Sequence, residues 1–89
     1  MRIRDIAITH PSGLHARVCA RVVTIASTFR SNVSLVVAGR RASARSIVAV
    51  MLLAAAVGST VRIEADGPDE QAAVSAIARL LDTELSDRR

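Results

Sequence analysis

Apolar and polar positions recur along this chain with two different periods, and the switches between them mark its elements. From Arg2 to Thr9 the period is two, with Ile6 and Ile8 on one face and Asp5 and Ala7 on the other, the signature of a strand. His10-Pro11-Ser12-Gly13 is a turn cluster in which Pro11 stops the strand. Between Ala16 and Phe29 the residues Val18, Val22, Ile25 and Phe29 recur at spacings of three and four, which predicts a helix with one buried stripe. The shorter period returns over Asn32 to Ala38, with Val33, Leu35 and Val37 pointing one way. Ala38-Gly39-Arg40-Arg41 then reads as a tight turn into a short antiparallel partner strand over Arg40 to Ser43. Ser46 is placed as the N-cap of a short helix through Ile47, Val50, Met51 and Ala54, ended by Val57-Gly58-Ser59. Thr60 to Ala65 sets Val61 and Ile63 against Arg62 and Glu64, a fourth strand. After Asp66-Gly67-Pro68 a last helix opens at Pro68 or Asp69. Its stripe is Ala73, Val74, Ile77, Leu80, Leu81 and Leu85, with Asp82 and Glu84 turned outward.

The resulting order, βαββαβα, is that of an α+β two-layer open-faced sandwich, with helices on one face of a mainly antiparallel sheet. A chain of 89 residues, without repeat, linker or low-complexity tract, is expected to form one domain over 1–89.

Composition narrows the function. Phe29 is the lone aromatic residue, so aliphatic side chains and alanine must fill the core. All twelve basic residues are arginines against eight acids, a net charge of +4. That charge suits an acidic partner surface, whereas nucleic acid binding lacks both a dense arginine run and an aromatic stacking platform. Cys19 is the single cysteine, so no intrachain disulfide is possible and packing is its expected role. Met1 to Thr9 has no apolar leader core, and the longest apolar run, Ile47 to Val57, is too short to span a bilayer. These features lead to the expectation of a cytoplasmic monomer that does not associate with membranes. His10 and His15 lack the companion ligands of a metal site, so neither metal nor cofactor is expected.

The candidate chemistry lies in Gly13-Leu14-His15-Ala16-Arg17, at the junction of turn and helix. The first N–H groups of a helix have no intrahelical partner and carry the positive end of its dipole. A phosphate held there gains those donors and the guanidinium of Arg17, which can grip two oxygens at once. An imidazole titrates near neutrality and is a nucleophile, so His15 can itself carry a phosphoryl group. Ser12 serves the turn or orients that imidazole. Ser46 serves as a cap, and as a phosphorylation target it would bring a dianion to a helix start. Ile47-Val48-Ala49-Val50-Met51-Leu52-Leu53 is apolar all round, more than a helix with one core face requires. Ile47, Val48, Met51 and Leu52 are therefore candidates for an exposed docking patch.

On these motifs, and over essentially its whole length, the chain resembles the HPr family, the histidine-containing phosphocarriers of the bacterial phosphotransferase system. Gly13-Leu14-His15-Ala16-Arg17 resembles that family's active-site signature, and Ser46-Ile47-Val48-Ala49-Val50-Met51 its second signature. Gly58 and the run from Glu64-Ala65-Asp66-Gly67 to Asp69-Glu70 also fit. The resemblance implies a phosphoryl carrier rather than a self-sufficient enzyme. His15 would accept phosphate on Nδ1 from phosphorylated enzyme I and pass it to an enzyme IIA domain, with Arg17 stabilising the phosphohistidine. Ser46 would correspond to the regulatory serine that an HPr kinase/phosphorylase modifies in some lineages. Ile47, Val48 and Met51 would join the start of the first helix, near Arg21, as a shared partner surface. The implied sheet is four-stranded and antiparallel in the order 1-4-2-3, with three helices on one face.

Two departures stand out. Val18 occupies the position after the active-site arginine where the family usually has proline, a residue that presets the first helical turn. Arg21 and Leu52 make the partner face more basic and more apolar, which sets a paralogue of a nitrogen-type regulatory branch, rather than of sugar uptake, beside the sugar-uptake reading. Two rivals are a non-carrier regulatory protein of the same fold and a small RNA-binding α+β domain. The latter would need exposed strand aromatics, which the chain lacks.

Overall fold

The computed structural model describes residues 1–86. The elements are β1 (Arg2–Ala7), α1 (Ala16–Ala26), β2 (Asn32–Val37), β3 (Arg40–Ser43), α2 (Ile47–Leu52), β4 (Thr60–Asp66) and α3 (Glu70–Leu85). The four strands form one sheet in the order β1-β4-β2-β3, with every neighbouring pair antiparallel. This is the expected architecture, strand order included.

Period-two patterning explains the layering, because alternate residues of a strand point to opposite faces. Ile6 and Ile8, Val33, Leu35 and Val37, and Val61, Ile63 and Ala65 are buried. Against them pack Val18, Cys19, Val22 and Ala26 of α1, Val50 of α2, and Ala73, Val74, Ile77, Ala78, Leu81 and Leu85 of α3. The other sheet face carries charged pairs: Asp5 lies opposite Arg62 in the β1–β4 register and accepts from its Nε at 3.0 Å, and Arg41 of β3 pairs with Glu64 of β4. The β2–β3 hairpin closes through Ala38 and Gly39, both left-handed at φ 51° and 78°, the backbone that a two-residue turn between twisted strands demands.

Element ends differ from the expected boundaries for local reasons. β1 closes at Ala7, although the Ile8 N–H still reaches the Ser59 carbonyl. α1 closes at Ala26, short of Phe29, where the Ser27 and Thr28 hydroxyls donate to the Val23 and Ile25 carbonyls. Arg45 then donates to the Phe29 and Ser31 carbonyls beyond it. α2 closes at Leu52, ahead of Ala54, which turns left-handed at φ 50°. Arg40 takes the freed carbonyls of Leu52 and Leu53 at 3.4 and 2.7 Å. Arg40 thus serves the end of α2 as a C-terminal glycine motif usually would, while Arg45 ties down the segment between α1 and β2.

Asp69 opens α3, but its side chain does not cap it. The carboxylate instead accepts from the N–H groups of Arg30 and Ser31 and from the hydroxyl of Ser31, a buried residue. These bonds, the Ser31 hydroxyl foremost, hold the Asp69 carboxyl below its ordinary range.

Candidate functional site

The loop that delivers His15 is braced from two directions. On one side Leu14 is buried and its N–H donates to the Ala55 carbonyl at 2.9 Å. That close approach explains Gly13: its backbone is left-handed at φ +60°, and a side chain here would place Cβ 2.6 Å from the same Ala55 oxygen. On the other side the Leu85 carbonyl, at the end of α3, accepts from the N–H groups of Thr9 and His10, both at 2.8 Å. Within the loop, His10 Nδ1 accepts from the Ser12 N–H at 3.1 Å. Ser12 thus contributes a backbone donor to the turn, and the imidazole of His10 is a loop brace.

His15 is the N-cap of α1, with extended backbone, and its carbonyl accepts from the Cys19 N–H. Its half-buried ring makes no hydrogen bond among the described residues, and it caps nothing. The N–H groups of Ala16, Arg17 and Val18 likewise meet no acceptor among the described residues. Three unspent backbone donors and the positive end of the helix dipole therefore lie at the helix start that His15 opens. Val18 is fully buried, and α1 begins at Ala16 without the preset φ of proline. Its N–H is a donor that proline would lack.

Arg17 is engaged elsewhere. Its guanidinium donates to Glu84 at 2.9 and 3.4 Å, and Arg21, one turn further along α1, donates to the same carboxylate at 2.7 Å. The Glu84 side chain is only 14% exposed, against 60% and 56% for the two arginines. Arg17 foremost, and then Arg21, hold the Glu84 carboxyl below its usual range despite its partial burial. This corrects the expectation that Glu84 faces outward. A helical wheel of α3 shows which residues face the sheet, but not that α1 lies across the flank that carries Glu84. The available signal was the pair Arg17 and Arg21 at i and i+4, a doubled charge on one helix face that calls for an anion.

Cys19 is buried, and its thiol donates to the Leu14 carbonyl. Burial pushes the thiol up, which overrides any lowering by the helix start. Ser46 caps α2 by accepting from the Ala49 N–H at 3.2 Å. Beyond it Val48 and Leu52 are 64% and 70% exposed, with Ile47, Met51 and Val57 also uncovered. α2 packs beside α1, so this apolar patch sits on the neighbour of the helix that His15 opens. A groove of about 600 Å³ runs between α1 and α3, with Ile25, Ala76 and Leu80 in its lining and Arg21, Arg79 and Glu84 among its charged groups. Among the described residues no cluster of three or more His, Cys, Asp or Glu is arranged to hold a metal, and no helix is long and apolar enough to cross a membrane.

A family model described as the PTS HPr component phosphorylation site matches residues 3–83. The chain belongs to the HPr family. It is 47% identical to the phosphocarrier protein HPr of Cupriavidus necator over 78 residues, which covers 88% of each chain. It is 31% identical to the phosphocarrier protein NPr of Shewanella violacea over 84 residues, covering 94% of this chain and 92% of that one. Among solved structures, the histidine-containing phosphocarrier protein of Mycoplasma superposes with a TM-score of 0.90 at 33% identity, covering 98% of this chain and all of that one. Membership in the HPr family makes this chain a phosphocarrier of the phosphotransferase system.

Proposed function

We propose that His15 is the phosphoryl acceptor, taking the group from phosphorylated enzyme I and passing it to an enzyme IIA domain. A lone pair on the neutral ring attacks phosphorus, a P–N bond forms, and the bond from phosphorus to the donor breaks in the same displacement. The anionic product lies against the free N–H groups of Ala16, Arg17 and Val18, with Arg17 leaving Glu84 to add its guanidinium. Transfer onward repeats the displacement with the ring as leaving group. The observation that carries this reading is an imidazole without a hydrogen bond at a helix start whose first donors are unspent.

A carrier must also dock on successive partners. The exposed Ile47, Val48 and Met51 on α2, with Arg21 on α1, form the proposed common surface. Ser46 lies at its border, where phosphorylation by an HPr kinase/phosphorylase would add a dianion beside apolar contacts that both partners need. The downstream acceptor belongs to the sugar-uptake or to the nitrogen-type regulatory branch.

The decisive experiment incubates the protein with enzyme I and radiolabelled phosphoenolpyruvate, then offers IIA domains of both classes. Acid-labile, alkali-stable label that moves to one class of IIA domain is the expected result. Binding of enzyme I without uptake of label would replace this reading with that of a non-carrier regulatory protein.

A further inference from the structure

The two arginines on Glu84 do not have the same task. If Arg17 alone paired with this carboxylate, its departure toward a phosphoryl group would strand a negative charge that is largely shielded from water. An enclosed charge that loses its partner is costly, and the cost would fall on the phosphorylated state. Arg21 removes that difficulty. It donates to Oε2 of Glu84 at 2.7 Å, whereas Arg17 makes its shorter contact with Oε1 at 2.9 Å and reaches Oε2 only at 3.4 Å, so Oε2 keeps its closer partner when Arg17 leaves. Arg79, another cation lining the same groove, has no hydrogen bond or ion pair with Glu84.

Resting on the reading of His15 as acceptor and Arg17 as its stabiliser, we propose that Arg21 is a positioning residue for phosphoryl acceptance, keeping Glu84 paired while Arg17 moves to the phosphoryl group. Glu84 then acts as a parking place for Arg17. It holds the guanidinium close to the site in the resting state and releases it without being left unpaired. Arg21 touches neither the ring nor the phosphoryl group and works only through Glu84.

Phosphoramidate, a small donor that needs no docking surface, separates this task from any contact of Arg21 with enzyme I. R21Q is expected to slow labelling of His15 by about fivefold, the upper range for a partly exposed ion pair. R21K restores most of the rate. In the double variant R21Q/E84Q the loss disappears, because no charge remains to be held. Carbon-detected NMR gives a second readout: on phosphorylation the Glu84 carboxyl of the wild type stays below its usual range, and that of R21Q rises toward it. Labelling of R21Q at the wild-type rate, or equal losses from R21Q with and without E84Q, overturns the inference while leaving the carrier reading intact. Failure of the wild type to take label on His15 overturns both.

Discussion

Two helices of this protein begin in the same way on paper and differently in space. α1 and α2 each follow a polar residue with extended backbone, His15 and Ser46. The Ser46 hydroxyl turns back and satisfies the Ala49 N–H, whereas the His15 ring satisfies nothing and leaves three donors open. α2 has a side-chain-capped start and an exposed apolar flank; α1 has an uncapped start and a buried stripe. A helix start is a structural joint when its cap is spent on the helix, and a reactive one when it is not. α3 offers a third outcome: Asp69 spends its carboxylate on the Arg30–Ser31 segment and so locks two distant parts of the chain together.

The comparison can be broken most directly at His15. His15→Ala is expected to abolish phosphoryl labelling while leaving the urea midpoint nearly unchanged, since the ring makes no bond to lose. Label retained on that variant would move the acceptor elsewhere. Next in size is Gly13→Ala, which forces a Cβ against the Ala55 carbonyl at a left-handed position. It should destabilise the fold by about 1–3 kcal/mol in urea titrations. An unchanged midpoint would show that the loop is not clamped as described.

Asp69 gives a test through pH. Its folded carboxyl lies below the ordinary value of 3.8, so its contribution is fully present above that value and is lost as pH falls through the folded one. Asp69→Asn should therefore lower Tm at neutral pH and flatten the fall of Tm below about pH 4. A parallel fall in both proteins would assign the acid sensitivity to other carboxylates. Ser46→Ala should cost about 1 kcal/mol in urea titrations, and an undetectable loss would leave the cap at α2 without energetic content. Smallest in stability is Leu52→Ser, within about 0.5 kcal/mol because Leu52 is 70% exposed. It should nevertheless slow labelling by enzyme I and not labelling by phosphoramidate. Equal effects on both donors would remove the patch from the docking surface.

Much of this was legible in the chain. Period-two and helical spacing placed all seven elements, and Arg40 to Ser43 has the expected bounds because Gly39 and the alternation on either side leave little choice. The motif around His15 was legible because a turn, a glycine and a helix start are all local signals. What escaped is contributed by parts remote in sequence. Glu84 faces α1 because α1 and α3 pack across the sheet, and neither helix reports the other. The Ala55 and Leu85 carbonyls that brace the loop are backbone atoms, which carry no side-chain signature. Arg40 caps the end of α2 and Arg45 ties the α1–β2 connection across turns of the fold, so their spacing from the carbonyls they serve has no local pattern.

The Leu85 carbonyl has a consequence for synthesis. It fastens Thr9 and His10, and the neighbouring Glu84 carries the guanidinium of Arg17. The first strand and first helix leave the ribosome early, but one of the two braces on the histidine loop becomes available only when the final turn of α3 emerges. A chain whose α3 has not yet formed therefore presents His15 on a loop held by Ala55 alone, without the Leu85 and Glu84 contacts.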